Sequence, residues 1–125
     1  MIDLNKGGFP MPTMVDSTVQ QWQACIDACL KCMQACEECL SSCLKEPDVQ
    51  ARTMCISMLR DCAQLCALSA QMMSRGSQYA KQLCQLCATI CESCAADCEK
   101  FQDTHCKQCA EFCRECAEEC RKMSA

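Results

Sequence analysis

The chain has 125 residues, 19 of them cysteine, and a formal net charge of −4. That length suits one domain, residues 1–125, with a single modest core. The acidic balance, the scattered basic residues and an aromatic content of 4% argue against nucleic acid as a partner. A membrane partner is disfavoured too, because charges interrupt every apolar run before it reaches spanning length.

Residues 1–15 hold two of the three prolines and two of the three glycines and read as an irregular tail, with residues 16–125 left to form the folded body. The first ten residues show no basic region, apolar stretch or twin arginine that would mark export. A cytoplasmic location is therefore expected, where stable disulfides are rare. The odd cysteine count also disfavours a fully stapled secreted domain.

From Ser17 the pattern turns helical. Ser17 and Gln20 fit an S-x-x-Q capping box, and a first helix is predicted to run to about Lys45. Along it cysteine recurs at Cys25, Cys29, Cys32, Cys36, Cys39 and Cys43, in steps of four, three, four, three, four. That is the spacing of a helix seam, with thiols where leucines usually stand. Pro47 suits the first turn of a second helix, which carries Cys55, Cys62 and Cys66 and stops at Arg75-Gly76. Its seam is completed by Met58 or Leu59 and, further on, by Ser69 and Met73, so it holds fewer thiols.

Ser77 can cap a third helix with Cys84, Cys87, Cys91, Cys94 and Cys98. Asp103 or Thr104 can cap a fourth with Cys106, Cys109, Cys113, Cys116 and Cys120. No strand-like alternation occurs. Four helices joined by short links predict an all-α, antiparallel up-down-up-down four-helix bundle with a cysteine-lined core. Lys31, Glu38, Arg60, Glu92, Lys107 and Glu118 fall off the stripes, on faces suited to water. Ile26, Leu30, Leu40, Leu44, Leu65, Leu68, Leu83, Leu86, Ile90 and Phe112 lie beside them and are expected to close the seams, some against another subunit.

One or two core cysteines need no special reason, since the side chain is small and buries well. Nineteen do, because such a core buries less apolar area than leucine would and invites oxidation. Thiolates select Cu(I), Zn(II) or iron–sulfur clusters. Structural zinc favours closed groups of four, and ferredoxins use a loop motif that is missing here. Cu(I) suits a continuous ladder. Eight CxxxC pairs can be drawn: Cys25/Cys29, Cys32/Cys36, Cys39/Cys43, Cys62/Cys66, Cys87/Cys91, Cys94/Cys98, Cys109/Cys113 and Cys116/Cys120, with Cys55, Cys84 and Cys106 as further ligands. At about one Cu(I) per thiolate the interior stays neutral, whereas zinc in four-thiolate sites would leave about two buried negative charges each.

Repeated CxxxC on four helices of a short bundle, over residues 17–123, resembles the bacterial four-helix-bundle copper storage proteins, the Csp family, and its cytosolic branch in particular. The resemblance implies homotetramers of bundles, each holding many Cu(I) ions on its thiolates. It also implies that copper is admitted at one end with help from His and Met. Topology then gathers Cys43, Met54, Cys55, Met58, Cys98, His105 and Cys106 at that end, with His105, Met58 and Met54 as candidate uptake ligands. Trp22, Met72, Met73 and Met123 belong to the other end, as an apolar plug or a second way in. A copper chaperone or a low-molecular-weight thiol is a candidate partner for release. The rival readings are a thiol redox reservoir and a zinc or iron–sulfur protein. No catalytic constellation is found, so no enzyme activity is expected.

Overall fold

Cysteine at three- and four-residue spacing can face one direction only if the backbone is α-helical, and four such segments dominate the computed structural model, which describes residues 17–125. The tail assigned to residues 1–15 lies outside the described residues. Helices α1 (Gln23–Cys43), α2 (Thr53–Ser74), α3 (Ala80–Cys98) and α4 (Thr104–Ser124) are 21, 22, 19 and 21 residues long. Each packs on its two neighbours around the ring α1, α2, α3, α4, in antiparallel sequence. There is no strand among the described residues, and none of their helices is long and apolar enough to cross a membrane.

The helix ends differ from the sequence reading in instructive ways. The chain enters α1 through a 3₁₀ helix, Ser17–Trp22, and the α-helix itself begins only at Gln23, with no side-chain cap from Trp22. The tighter turn brings Val19 into the core, where it is fully covered. The capping box proposed for Ser17 rests on a side chain outside the described ones. Between α1 and α2 Pro47 sits in a turn instead of opening the helix. Residues 44–52 wind through successive i→i+3 bonds, ending in the 3₁₀ helix Val49–Arg52. The link is longer than predicted because it carries the Arg52 side chain down onto the end of the core.

The stop after α2 follows its sequence signal. Gly76 adopts φ 66°, and Ser77 N–H and Gly76 N–H donate to the Met72 and Met73 carbonyls at 2.9 and 3.0 Å, a Schellman closure. Ser77 does not cap α3 directly. Its Oγ accepts from Tyr79 N–H at 3.1 Å, fixing the turn that leads into the helix. Asp103 is the N-cap of α4, accepting from Cys106 N–H at 3.1 Å.

The seams are closed by alanine rather than by the larger apolar residues. Ala63 and Ala70, Ala88 and Ala95, and Ala110 and Ala117 are buried pairs seven residues apart on α2, α3 and α4. Side chains this small let the helix backbones approach closely. The bundle is then narrow enough for thiols to meet across it. Of the residues expected to fill that role, Ile26 is buried and Leu40, Leu65, Leu83 and Ile90 are half-buried. Leu30, Leu44, Leu68, Leu86 and Phe112 remain exposed on the outer surface.

Candidate metal centre

All nineteen cysteines are free and buried. The 3/4 rhythm places one ladder on each helix, and antiparallel packing interleaves facing ladders like the teeth of a zip. Between α1 and α4 the sulfurs of Cys43, Cys106 and Cys39 lie 3.7 and 3.7 Å apart in turn. Cys109, Cys36, Cys113 and Cys32 follow at 3.8, 3.8 and 3.7 Å. Cys116, Cys29, Cys120 and Cys25 complete the zigzag at 3.6, 3.8 and 3.6 Å. Between α2 and α3, Cys62, Cys91, Cys66 and Cys87 repeat the pattern at 3.7 Å per step, and Cys55 meets Cys98 at 3.8 Å. Two contacts join these sheets of sulfur, Cys32 to Cys62 at 3.9 Å and Cys66 to Cys116 at 3.8 Å.

With a metal–thiolate bond of about 2.3 Å, two sulfurs on one ion stand about 3.8 to 4.6 Å apart, from tetrahedral to linear geometry. The thiols therefore already stand at, or a few tenths of an ångström inside, ligand spacing. Groups with all ligand atoms within 4.8 Å of one another include Cys29/Cys87/Cys116/Cys120, Cys32/Cys62/Cys66/Cys91, Cys32/Cys36/Cys62/Cys113 and Cys66/Cys87/Cys91/Cys116. These groups share members, so independent tetrahedral ions cannot fill them all at once. The arrangement suits ions that bridge through common sulfurs.

The thiols perturb one another in a reciprocal way. Cys62, Cys109 and Cys116 are pushed down in pKa by interaction with neighbouring thiols, above all Cys113 for Cys62 and Cys109, and Cys120 for Cys116. Cys66, Cys113 and Cys120 are pushed up by the same kind of interaction, chiefly with Cys116, Cys109 and Cys116 respectively, with burial adding to the rise. Hydrogen bonds thus leave the column with protons that are shared and unevenly held. A metal entering it replaces protons rather than meeting ready-made thiolates throughout.

One end differs. His105 is partly buried, its Nδ1 3.4 Å from Cys39 Sγ and 3.7 Å from Cys106 Sγ, and it forms a four-ligand group with Cys39, Cys43 and Cys106. Its Nε2 lies 2.9 Å from Glu46 Oε2 and 2.8 Å from Asp103 Oδ2, so carboxylates orient the ring with Nδ1 toward sulfur. Burial works to raise the Asp103 pKa, but hydrogen bonds from Arg52 and Cys106 outweigh it and bring it down to about 2. Met58 is half-buried beside this end, and Leu59 takes the seam position in its place. Met54 is 80% exposed, outside the wall. At the far end Met73 is fully buried, with Trp22 and Met123 partly buried against the core and Met72 half-exposed.

Arg52 went unread in the sequence. The signal was there: Arg52, Cys55, Leu59, Cys62, Cys66, Ser69 and Met73 continue the 3/4 rhythm of the α2 seam, with a cation at its first step.

A bundle whose interior is a column of free thiols in overlapping groups of four defines a class of protein, a thiolate container for soft metal ions. The family model for copper storage protein, Csp, matches residues 18–125. Among solved structures the chain is similar to the Cu(I)-bound copper storage protein BsCsp3, at 45% identity and a TM-score of 0.80, covering 82% of this chain and 97% of that one. It is also similar to the Streptomyces lividans cytosolic copper storage protein with five coppers, at 37% identity and a TM-score of 0.81, covering 85% and 93%. The Streptomyces lividans protein loaded with 10 copper equivalents gives 35% identity and a TM-score of 0.80, covering 95% and 94%. The comparison with curated proteins found no match. The chain belongs to the copper storage protein family.

Proposed function

We propose that this chain sequesters many Cu(I) ions on the cysteine thiolates inside its bundle, about one per thiol by the charge argument, without catalysing a reaction. The observation that carries the reading is the overlap of the four-sulfur groups. Shared ligands favour clusters of low-coordinate soft ions over separate zinc sites. The nineteen cysteines, from Cys25 to Cys120, are the ligands. His105 is the uptake ligand, since it alone presents a ring nitrogen to the end sulfurs. Met58 flanks the same end, and Met54 can offer its thioether only from outside. The chain works in the cytoplasm, as the Streptomyces lividans relative described as cytosolic does. It assembles as a homotetramer through exposed apolar residues such as Leu30, Leu44 and Leu86, and it surrenders copper to a chaperone or a low-molecular-weight thiol by ligand exchange.

Anaerobic titration of the reduced protein with Cu(I), against a competing chelator and with native mass measured alongside, tests this. Saturation near one ion per cysteine is expected, with ultraviolet thiolate-to-copper absorption and no visible colour. Saturation at one or two ions per chain overturns storage. A native mass of one chain overturns the tetramer alone.

A further inference from the structure

Arg52 is 5% exposed and ends the 3₁₀ helix Val49–Arg52 on the α2 seam. Every face of its guanidinium is used. Nε donates to Asp48 Oδ1 at 2.7 Å and Nη2 forms an ion pair with Asp103 Oδ1 at 2.8 Å, while the group stacks 4.4 Å from the centre of the Phe101 ring. Nη1 is aimed elsewhere. It donates to Cys43 Sγ at 3.6 Å and Cys106 Sγ at 3.5 Å, two members of the four-ligand group completed by Cys39 and His105.

An arginine needed only to tie the 44–52 link to α4 would be satisfied by the two aspartates. This one also covers two sulfurs, using the lone pairs a metal would use. A Cu(I) ion bound to Cys43 and Cys106 would put a second positive charge against the guanidinium where little water screens it. The two cations cannot hold that sulfur pair together. A way out exists: Asp48, bonded to Nε, has a side chain 50% exposed at the rim, and the guanidinium can swing toward solvent while keeping that contact.

Resting on the reading that these cysteines hold Cu(I), we propose that Arg52 is a latch on the sulfur column. Its guanidinium stands in for copper on Cys43 and Cys106 while the end group is empty, and it is displaced outward when Cys39, Cys43, His105 and Cys106 take an ion. Loading then exchanges one cation for another beside Glu46, Asp48 and Asp103, whose negative charge is never left facing bare thiolate.

The wild-type protein tests this directly. Phenylglyoxal labelling of arginines, mapped by mass spectrometry before and after full Cu(I) loading, should find Arg52 protected in the copper-free protein. After loading it should label at least several-fold faster, while the exposed Arg60 stays constant. Stopped-flow uptake from a Cu(I)–bicinchoninate complex supplies the second reading. R52A and R52K should both take up the first ions several-fold faster than wild type, at unchanged total capacity, because neither side chain can fork across two sulfurs and two carboxylates. Unchanged Arg52 labelling in a protein that still binds many coppers overturns the latch and leaves storage standing. Slower uptake by R52A with normal uptake by R52K also overturns it, making Arg52 a stabiliser of thiolate. A wild-type capacity of one or two ions is instead the failure of the storage reading.

Discussion

Cys32 touches sulfur on three helices at once: Cys36 on its own, Cys62 on α2 and Cys113 on α4. It therefore belongs to two of the overlapping groups. Replacing Cys32 and Cys36 together with serine should lower Cu(I) capacity by a few ions and leave the helical circular dichroism unchanged. Serine keeps the small volume and loses only the soft ligand. His105→Ala should behave in the opposite way, with capacity within about one ion of wild type and slower initial uptake, read by stopped-flow absorbance. Its ring touches only the end group. At this scale the cysteines were fully legible, because a repeated residue type at a fixed step is a direct statement of geometry. Arg52 was not, since a helix opened at Pro47 puts it one turn inside, where a lone charge reads as a solvated residue until three-dimensional closure folds it inward. Glu46 became a partner of His105 for the same reason, since it lies 59 residues away in the chain, whereas Asp103, next but one to His105, was read only as the cap of α4.

Among the elements, the caps show where local signals win and where packing overrides them. Gly76 and Asp103 act at the positions their chemistry marks, because αL backbone and a side-chain acceptor satisfy orphan helix groups wherever a helix ends. Ser17, Pro47 and Ser77 each announce a start that is delayed by a few residues, in two cases by a 3₁₀ segment that seats Val19 or Arg52 in the core. The alanine pairs were overlooked because alanine is common on helices, and only the seven-residue repeat distinguishes a close-packed stripe from filler. Ala88→Leu should cost about 1–3 kcal/mol of stability from overpacking, measured by urea unfolding of the reduced apoprotein. It should also reduce Cu(I) capacity, because α3 and its thiols would be pushed away from the facing ladder.

For the molecule as a whole, fold class followed from rhythm alone: four 3/4 segments with turn residues between them have few ways to bury four stripes. The consequence of filling that interior with thiols is thermodynamic. A cysteine core gives less hydrophobic stabilisation than leucine would, and copper binds the assembled column but has no comparable site in the unfolded chain. A single site held at 100 times its Kd adds about 2.7 kcal/mol. For a domain near 100 residues that is a rise of more than about 10 °C in Tm. Calorimetry should show the loaded protein melting well above the reduced apoprotein, and excess Cu(I) chelator should bring the two together.

The sulfur zigzag between α1 and α4 has one more consequence. Its steps of 3.6 to 3.8 Å are short enough for an ion to gain its next ligand before losing its last. Within each of its three runs, the first at Cys43, Cys106 and Cys39, copper can therefore pass hand over hand, as a bucket passes along a line of people, without being free. If His105 marks the end where ions come and go, the store has an order as well as a capacity. Every ion then passes the Cys43, Cys106 and Cys39 run before it reaches the sulfurs behind.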